Sequence, residues 1–478
     1  MSRVPAEKKA EIIANAQRFL EQYRELKKLG FINKTGDFFP SVHYPPITMY
    51  EPISQEAMFT GYTLPEDGLL DIYAHIPFCL QRCVFCHYPV KLGNGYETEK
   101  DKYLDTLEKE MDLYLEVLGL DKIKARSILV GGGTPTFLTP KQLERFLKFF
   151  TKRVDLSKCS QFNYDVDPNT LIGPEGRERL KIMRDYGVDR LTIGVQSLDN
   201  EILRGMNRHH NIDEALESIT ESRKYDYQLN IEFIFGYPGQ TLEGWIDEID
   251  HALTLDVDEI QLYRLKVDAY GDYQGPIKDL IENKGKRILT DEETLTMKRI
   301  GIDMLTGAGL TENIRRVFSR TKKHFSRYAW NQCCMLYDQI GLGLTAFSSL
   351  RNRFVLNTQY FDEYYAAVEA GRLPFNRGVV RSQEEQERWG IILPLKNSYI
   401  TKSLYKERTG VPLETVFQEK FKLLKEHGLV VEDDKKVETT PLGAFFADEV
   451  VQQFHSADYI PFPREEYEEA ILNPYHLQ

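Results

Sequence analysis

The sequence predicts an α/β fold: a partial (β/α)6 barrel of the TIM type, with an N-terminal extension and a small C-terminal helical, winged-helix-like domain. Three observations predict it. Six short apolar runs alternate with helix-like segments from about Leu69 onward. Strands this apolar, separated by helices, are typical of a parallel sheet covered by helices on its outer face. The chain has 478 residues, 42% of them hydrophobic, which is enough for a large barrel with attachments.

The first 68 residues form the predicted N-terminal extension. Residues 6–29 have the amphipathic pattern of a helix that ends at Gly30. The aromatic and proline-rich segment "FFPSVHYPPITMYEPI" follows, and we expect it to be extended and wrapped on the main body. The charged N-terminus lacks the apolar core and cleavage site of a secretion signal, and no apolar run reaches the ~18 residues that span a bilayer. We therefore expect a cytoplasmic protein with no membrane partner.

Residues 69–270 form the predicted barrel. The predicted strands are "LLDIYAHIPF", "RSILVGG", "FNYDVD", "RLTIGVQS", "QLNIEFIFG" and "EIQLYRL". The helices between them are expected to begin near Glu97, Pro140, Pro174, Ile212 and Leu242. Barrels of this kind carry their chemistry at the C-terminal ends of the strands, so the loop after the first strand is a natural place for an active site.

The remaining chain is divided at residue 384. Residues 271–384 are less regular and are predicted to extend the barrel and shape a substrate pocket, with helices near 290–308 and 360–371. Residues 385–478 are predicted to form the small C-terminal domain and tail. Within it we expect a helix capped by Gly428, a short pair of strands and a final helix.

The net charge of −12 makes the chain a poor non-specific binder of nucleic acid or of an anionic membrane. The winged-helix-like domain has no concentrated basic recognition helix, so we expect no nucleic acid partner. One basic stretch, "RRVFSRTKKHFSR" from Arg315 to Arg327, departs from the acidic balance. It is interpreted either as a solvated helix face or as a lid or wall that attracts an anionic substrate.

Three of the six cysteines are closely spaced in the first strand-end loop. Cys79, Cys83 and Cys86 have the spacing C-x3-C-x2-C, and thiolates suit zinc or an iron–sulfur cluster. Structural zinc takes four closed ligands, and the adjacent His87 is awkwardly placed to share one ion with Cys86. A [4Fe–4S] cluster held by three thiolates would leave one iron open for a substrate or cofactor. Zinc and incidental buried thiols stay as alternatives, and Cys159 and Cys333-Cys334 are interpreted as buried reduced thiols.

These motifs resemble the radical S-adenosylmethionine (SAM) superfamily, in the branch of the oxygen-independent coproporphyrinogen III oxidases. "YAHIPFCLQRCVFC" is similar to the entry motif of that branch. "VGGGTPTFL", "DVDP", "RLTIGVQS", Asn207-Arg208, "FGYPGQT" and "IGLGLTAFS" follow in family order. The resemblance covers about residues 69–456.

The resemblance implies the cofactors. Cys79, Cys83 and Cys86 would each ligate one iron of a [4Fe–4S] cluster, and SAM would chelate the fourth. One electron, from a donor such as flavodoxin or ferredoxin, would then cleave SAM to a 5′-deoxyadenosyl radical that abstracts hydrogen from a small-molecule substrate. One or two SAM molecules are expected, and a barrel of this kind would exclude water and hold the radical against one C–H bond.

The resemblance also assigns site residues. Tyr73 matches a tyrosine that helps to fix SAM, and Asp165 stands where a glutamate commonly touches the first SAM. Gln196, Arg208 and Glu232 match residues around a second SAM. The motif from Gly131 through Gly132 and Gly133 to Thr134 would let the backbone approach SAM closely, because a side chain there would clash. Capping of barrel strands is the alternative interpretation for Gln196, Arg208 and Glu232, and packing at a strand end is the alternative for Tyr73 and for His75.

Four positions depart from the oxidase pattern. Tyr88 replaces a further cysteine, Asp165 is one methylene shorter than the usual glutamate, and Glu232 is one longer than the usual aspartate. Arg264 stands where the oxidase has a small residue near its second SAM, and it is included as a candidate catalytic residue. These departures put coproporphyrinogen oxidation itself in question.

Several functions are consistent with the resemblance. The first is a radical SAM enzyme that modifies a tetrapyrrole or another sizeable anionic substrate, by decarboxylation, methylation, cyclopropanation or ring opening. The second is a haem chaperone, since "HFSRYAW" from His324 to Trp330 partly matches a haem motif, one residue out of register and without its Asn. Coproporphyrinogen III oxidase proper is a third, and an iron–sulfur protein for electron transfer alone is a fourth.

Overall fold

The computed structural model describes residues 4–36, 39–269, 273–321 and 323–477. The predicted boundary between residues 270 and 271 lies outside these ranges, as does Lys322 of the basic stretch.

The strands begin and end as follows: β1 (Glu51–Pro52), β2 (Leu69–Ile76), β3 (Phe78–Cys79), β4 (Lys91–Leu92), β5 (Ile123–Gly132), β6 (Val154–Asp155), β7 (Phe162–Val166), β8 (Arg190–Gln196), β9 (Gln228–Phe235), β10 (Glu259–Arg264), β11 (Thr311–Ile314), β12 (Val317–Ser319), β13 (Gln339–Leu342), β14 (Phe347–Leu350), β15 (Arg353–Asn357), β16 (Phe375–Val380), β17 (Tyr399–Thr401), β18 (Val430–Glu432) and β19 (Lys436–Thr439).

The helices are α1 (Ala6–Lys28), α2 (Gln55–Phe59), α3 (Glu97–Leu118), α4 (Pro140–Arg153), α5 (Gly173–Asp185), α6 (Asn200–Gly205), α7 (Ile212–Arg223), α8 (Leu242–Leu253), α9 (Ile277–Glu282), α10 (Asp291–Gly307), α11 (Arg327–Cys333), α12 (Phe361–Glu369), α13 (Gln383–Asn397), α14 (Lys402–Thr409), α15 (Gln418–Glu426), α16 (Pro441–Phe445) and α17 (Ala447–Gln452). In the described part of the chain no helix is long and apolar enough to cross a bilayer.

The predicted strands pair in sequence order as a parallel sheet, β2-β5-β7-β8-β9-β10. This is the strand order of a partial (β/α)6 barrel. Residues alternate along each strand: in β2, Leu70, Ile72, Ala74 and Ile76 are fully buried in the main hydrophobic core. The polar residues between them face the barrel interior, toward the site.

Interior-facing polar residues form a buried layer beneath the strand ends. Arg190 in β8 donates to the Glu259 carboxylate in β10 and to the Asn163 side chain in β7, with N–O distances of 2.8 and 2.6 Å. Both members of the Arg190–Glu259 pair have side chains no more than 2% exposed. Because a buried charge is costly without a partner, this pairing fixes how the strands meet under the cavity.

The less regular region supplies both flanks of the parallel sheet. Strand β12 pairs with β10 in an antiparallel ladder, and β13 pairs with β2 in a parallel one. Strands β14, β15, β16 and β1 continue the sheet beyond β13 by antiparallel pairing. The predicted helices near 290–308 and 360–371 are α10 and α12. The extension therefore widens the sheet next to the first strand, which carries the cysteine loop.

The N-terminal helix shares a core with the C-terminal domain. Leu20, Tyr23 and Leu26 of α1 belong to the same buried cluster as Trp389, Leu424 and Phe446. The C-terminal domain has a three-stranded sheet, β17-β19-β18, so the predicted strand pair gains a third strand. The predicted final helix is divided into α16 and α17 at Phe446.

The interpretation of the basic stretch as a helix face is wrong at its first residues. Arg315 and Arg316 lie in the turn between β11 and β12, which pair as an antiparallel hairpin. Arg316 adopts a φ of 66°, which belongs to turns and not to helices.

Candidate active site

A cavity of about 720 Å³ opens at the C-terminal ends of the parallel strands. Its walls come from the cysteine loop, the strand ends, the extension between 328 and 377, and residues 39–48, which we call the strap. The residues that line it include Phe39, Ser41, His43, Tyr73, His75, Cys79, Arg82, Cys83, Cys86, Tyr88, Gly132, Gly133, Thr134, Asp165, Asp167, Gln196, Arg208, His209, Glu232, Lys266, Tyr328, Thr345, Phe347, Asn357, Arg377 and His455.

The three predicted cluster cysteines all line this cavity and are half-buried. The loop that carries them starts at β3 and returns to β4, and the two short strands pair. Thr134 lies close enough to donate its hydroxyl to the Cys79 sulfur, at 3.5 Å. Burial raises the pKa of the Cys79 thiol to about 12, and since metals bind thiolates, loading the site must release protons.

The glycine motif packs against the site residues themselves. A Cβ at Gly131 would lie 2.6 Å from an Asp165 oxygen, and one at Gly132 would lie 2.7 Å from the His75 ring. At Gly133 it would lie 2.8 Å from the Phe78 carbonyl oxygen and 3.0 Å from the Cys79 sulfur. Gly132 and Gly133 line the cavity, whereas Gly131 lies behind Asp165. A side chain at any of these three glycines would therefore clash with neighbouring protein atoms, in addition to the clash with SAM that the resemblance implies.

Tyr73 and His75 are joined at the end of β2. The Tyr73 hydroxyl lies 2.9 Å from Nδ1 of His75, and the Thr345 hydroxyl lies 3.5 Å from Nε2 of the same ring. Burial lowers the pKa of His75 to about 3, so its ring is neutral near pH 7. A neutral ring accepts one hydrogen bond and donates another, which suits it to orient both hydroxyl groups.

Two predicted carboxyl groups, Asp165 and Glu232, line the cavity from β7 and β9. Burial and the nearby Glu232 raise the pKa of Asp165 to about 7. Burial also raises the pKa of Glu232. The amide of Asn163 donates to Asp165 at 3.1 Å. Because each carboxyl group disfavours the charge of the other, a cationic ligand between them would be stabilised.

Arg208 lies between the cysteine loop and the strand ends. It donates to the Cys83 sulfur at 3.0 Å, to an Asp167 carboxylate oxygen at 2.7 Å and to the Gly194 carbonyl at 2.8 Å. Its Nε is buried and has no hydrogen-bond partner among the described residues. Nε thus remains for a ligand.

Asp167 is a site residue that the sequence interpretation missed. It binds Arg208, and His209 Nε2 lies 3.2 Å from its second oxygen. Burial alone would raise the pKa of Asp167, but the positive charge of Arg208 holds it below its usual range. The signal was in "DVDP": residues two apart on a strand face the same side, so Asp167 follows Asp165 toward the cavity.

Gln196 ends β8 in an unusual conformation. Its φ is 69°, and the register between β8 and β9 shifts just before it. A Cβ at Gly194 would lie 2.7 Å from its amide nitrogen. The bulge aims the amide into the cavity, where the assignment to a second SAM stays a prediction.

Arg264 is not among the residues that line the described cavity. Its guanidinium lies 2.6 Å from an Asp291 carboxylate oxygen at the start of α10. Its catalytic role stays a prediction without support from this geometry. His87 is held by the loop after β10: its Nδ1 accepts from the Gly275 amide at 3.0 Å, and its Nε2 lies 3.2 Å from the Lys266 carbonyl.

The strap forms the wall opposite the strand ends. The His43 ring lies 4.9 Å from the Phe347 ring and 4.6 Å from the Phe354 ring, and Phe347 is stacked on Phe354. Phe347 is also stacked 6.2 Å from Tyr73. A continuous aromatic wall thus connects the strap to the end of β2.

The C-terminal domain fastens the strap in place. Asp448 accepts from the Ser41 amide at 3.2 Å, Lys396 donates to the Ser41 carbonyl at 2.5 Å, and the Ser41 hydroxyl lies 3.0 Å from His455. Asp448 also pairs with Lys396 and Arg315. Since these charges are buried, their pairing resists displacement of the strap.

The described cations of the basic stretch do not line the cavity. Arg315 pairs with Asp448, Arg316 lies over the Tyr263 ring, and Arg320 donates to backbone carbonyls such as that of Val257. His324 is 45% exposed and pairs with Asp258, which precedes β10 at the opposite end of the barrel. Tyr328, within "HFSRYAW", does line the cavity.

The residues present fit a cluster with three cysteine ligands. Hydrogen-bond donors reach the sulfurs: Thr134 donates to Cys79, Arg208 to Cys83 and the Tyr88 backbone to Cys86, and such donors stabilise thiolate ligands. In the described ranges no group of three or more His, Cys, Asp or Glu could hold a single metal ion. A cubane binds one thiolate per iron, so its ligands do not converge on one ion.

Comparison with known proteins agrees with this geometry. The model of the radical SAM superfamily matches residues 73–252. The chain is 25% identical over 452 residues to an oxygen-independent coproporphyrinogen III oxidase of Helicobacter pylori, covering 90% of this chain and 96% of that protein. It is 26% identical over 391 residues to the heme chaperone HemW of Bacillus subtilis, covering 80% and 98%.

A solved structure shares the fold. The coproporphyrinogen III oxidase HemN from Escherichia coli superposes with a TM-score of 0.74 at 22% identity, over 86% of this chain and 96% of that one. At this identity the likeness shows the fold alone. The family match shows a radical SAM domain at residues 73–252, a domain that has a [4Fe–4S] cluster and SAM as its cofactors, and the similarity to the oxidase and to HemW lies in the coproporphyrinogen III oxidase-like branch.

Proposed function

We propose that this protein is a radical SAM enzyme that modifies a sizeable anionic organic substrate of the tetrapyrrole class, with one or two SAM molecules. The observation that carries the proposal is that one cavity is lined by the three cysteines, by the carboxyl groups of β7 and β9 and by the aromatic wall of the strap. A cavity that has cofactor-binding residues on one side and a large, partly apolar wall on the other suits a bulky substrate.

The charges of the cavity support an anionic substrate. The described acidic lining residues are Asp165, Asp167 and Glu232, which lie in β7, just after β7 and in β9, whereas Lys266 and Arg377 lie on the strap side. The Lys266 amino group is 5.6 Å from the Phe39 ring of the strap. Burial lowers the pKa of Lys266 to about 6, and a bound anion would favour its charged form.

The chain's own residues would bind, orient and exclude water. Bound in the loop of Cys79, Cys83 and Cys86, the cluster supplies the electron that cleaves SAM. Asp165 and Glu232 would hold a cationic group of SAM, and the strap would close the cavity above it. Excluding water protects a reactive radical from side reactions. The electron donor is proposed to be a flavodoxin or a ferredoxin.

Product analysis tests the proposal. The protein is reconstituted anaerobically and reduced with dithionite, then given methyl-labelled SAM and coproporphyrinogen III. We expect SAM consumption with 5′-deoxyadenosine or S-adenosylhomocysteine as product. Label in the organic product indicates methyl transfer, whereas an unlabelled product with 5′-deoxyadenosine indicates hydrogen abstraction alone. Absence of both SAM products, with substrate and without it, contradicts the enzyme proposal.

A heme chaperone is the second candidate. The similarity to the HemW protein of Bacillus subtilis over 80% of this chain favours it, although His324 of the partial haem motif lies away from the cavity. Titration with hemin distinguishes the two. A chaperone binds about one hemin per chain without consuming SAM, and His324→Ala weakens that binding if the motif is used.

The oxidase proper is a narrower form of the first proposal. Tyr88, 54% exposed, stands where the oxidase has a further cysteine, and it lines the cavity near the His75 ring at 6.0 Å. Release of carbon dioxide from coproporphyrinogen III by the loaded protein would support this narrower activity. Turnover of SAM without carbon dioxide release would exclude it.

A further inference from the structure

Arg208 makes a direct contact with a predicted cluster ligand. Its Nη1 donates to the Cys83 sulfur at 3.0 Å, while its Nη2 is held by Asp167 at 2.7 Å and by the Gly194 carbonyl at 2.8 Å. The Arg208 and Asp167 side chains are 9% and 5% exposed. Two acceptors, Asp167 and the Gly194 carbonyl, thus hold the guanidinium against the Cys83 sulfur. Because both side chains are buried, solvent screens the charge of the guanidinium only weakly.

This contact has a consequence for electron uptake. When the cluster accepts one electron from a low-potential reductant, negative charge grows on its sulfur ligands. A hydrogen bond and a positive charge at such a ligand stabilise the reduced form more than the oxidised form. We propose that Arg208 raises the reduction potential of the cluster through the Cys83 sulfur, and that Asp167 and the Gly194 carbonyl hold it there.

The two members of the ion pair act with opposite signs. Arg208→Gln removes the positive charge and leaves Asp167 negative beside the cluster, so the reduced form loses stability. Asp167→Asn removes the negative charge, while the Gly194 carbonyl still holds the guanidinium against Cys83. The first variant therefore lowers the potential and the second raises it. General loosening of the site would not produce opposite shifts.

The experiment is a redox titration of the reconstituted protein without SAM or substrate, at one pH. Dithionite and mediator dyes set the solution potential, and the signal of the reduced cluster is followed by electron paramagnetic resonance. For Arg208→Gln we expect about a tenfold fall in the reduced-to-oxidised ratio at a fixed potential. For a one-electron couple this corresponds to a shift of about 59 mV. Asp167→Asn should shift the potential the other way.

Arg82→Gln is the matched control. Arg82 directly precedes Cys83 in the cysteine loop and, like Arg208, carries one positive charge, but it donates to the Tyr88 carbonyl at 2.8 Å and lies over the Tyr273 ring. Its loss should shift the potential less than the loss of Arg208. A shift as large as that of Arg208→Gln means that charge alone acts, and overturns the role of the Cys83 contact.

Iron content separates the possible failures. Arg208→Gln with about four irons per chain and an unchanged potential overturns the inference and leaves the proposed function intact. If Arg208→Gln does not assemble a cluster, the reduction potential of Asp167→Asn tests the inference instead. An unchanged or lower potential in that variant contradicts the inference. A wild-type protein that takes up no cluster overturns both this inference and the proposed function on which it rests.

Discussion

The two sides of the cavity are built in different ways. On the cluster side, most functional residues lie in or just after a strand of the parallel sheet or in the loop after β2, so a short motif specifies both the residue and its place, whereas Arg208 follows α6. On the strap side, the wall is assembled from three distant segments: the strap itself, the strands near Phe347 and Phe354, and the C-terminal domain through Asp448 and His455.

This difference bears on which properties each side controls. The cluster side holds donors and carboxyl groups with fixed partners, which suits binding of an unchanging cofactor. The strap side joins the rings of the strap and of β14 and β15 to a buried ion-pair anchor in the C-terminal domain, and the strap itself lies in no strand. We therefore expect changes on the cluster side to abolish SAM cleavage, and changes on the strap side to alter the use of substrate while SAM cleavage continues.

The largest expected effect is at Cys83. Cys83→Ala should abolish the cluster absorbance and SAM cleavage and leave a soluble fold, because the cluster loses one of its three protein ligands. Iron analysis and high-performance liquid chromatography of 5′-deoxyadenosine measure it. Cys159→Ala is the control, since its thiol donates to the Gln161 carbonyl away from the cavity. SAM cleavage in a cluster-free Cys83→Ala protein contradicts the ligand assignment.

The next effect is at Gly133. Gly133→Ala puts a Cβ 2.8 Å from the Phe78 carbonyl and 3.0 Å from the Cys79 sulfur, so the cysteine loop must shift. Since a misplacement of about 1 Å can cost about 100-fold in rate, we expect a loss of roughly that size in SAM cleavage.

Gly307→Ala is the matched control for Gly133. Nothing lies within 4 Å of a Cβ at Gly307, which ends α10. Alanine is favoured over glycine in a helix by about 0.5–1 kcal/mol, so this variant should keep full SAM cleavage. Equal activity of the two variants would contradict the tight contact at Gly133.

A smaller effect is expected on the strap side. His43→Ala removes one ring of the aromatic wall, and such ring pairs contribute about 0.5–1.5 kcal/mol each. We expect KM for the organic substrate to rise about threefold to tenfold, with SAM cleavage in its absence unchanged. His324→Ala, far from the cavity, should leave both constants unchanged. Loss of SAM cleavage in His43→Ala would remove the distinction between the two sides.

The last expected effect is on stability and not on catalysis, and it concerns the support between the two sides. Glu110 in α3 is fully buried and accepts from the Gly343 amide and the Tyr364 hydroxyl at 2.8 Å, and from the Asn357 amide at 2.9 Å. Asn357 lines the cavity, and Gly343 precedes Thr345. Glu110 therefore holds the segment that contacts His75.

This carboxyl group makes stability depend on pH. Burial raises the pKa of Glu110 from 4.5 to about 7, so the folded state holds the proton more tightly than the unfolded state. Its contribution is present below about pH 4.5 and is lost as pH rises through 7, amounting to about 3 kcal/mol. Between pH 5 and pH 8 the thermal midpoint of the wild type should fall a few degrees further than that of Glu110→Gln. Parallel curves would contradict this.

The sequence predicted the six central strands because apolar runs with flanking turns are local signals. The helix starts at Glu97, Pro140, Ile212 and Leu242 were also correct, and the structure starts α5 at Gly173, one residue early. By contrast, β12 and β13 are runs of three and four residues that pair with β10 and β2 across long stretches of chain. Such short runs carry little periodicity, so the flanks of the sheet could not be predicted.

The site was predicted where family motifs name its residues, and missed where geometry creates it. The pairing of Asp167 with Arg208 and the contact of His43 with Phe347 became visible only in the fold. The structure also adds a packing role to the glycine motif, because the sequence cannot show that Gly132 packs on His75. Contacts between distant segments depend on the fold, which local patterns do not encode.

The most direct test of the central claim is electron paramagnetic resonance of the reduced, anaerobically reconstituted protein, with and without SAM. The account predicts about four irons per chain and a cluster signal that changes when SAM is added, because SAM binds the iron that no cysteine holds. Zinc in place of iron, or a cluster signal that SAM leaves unchanged, would contradict it.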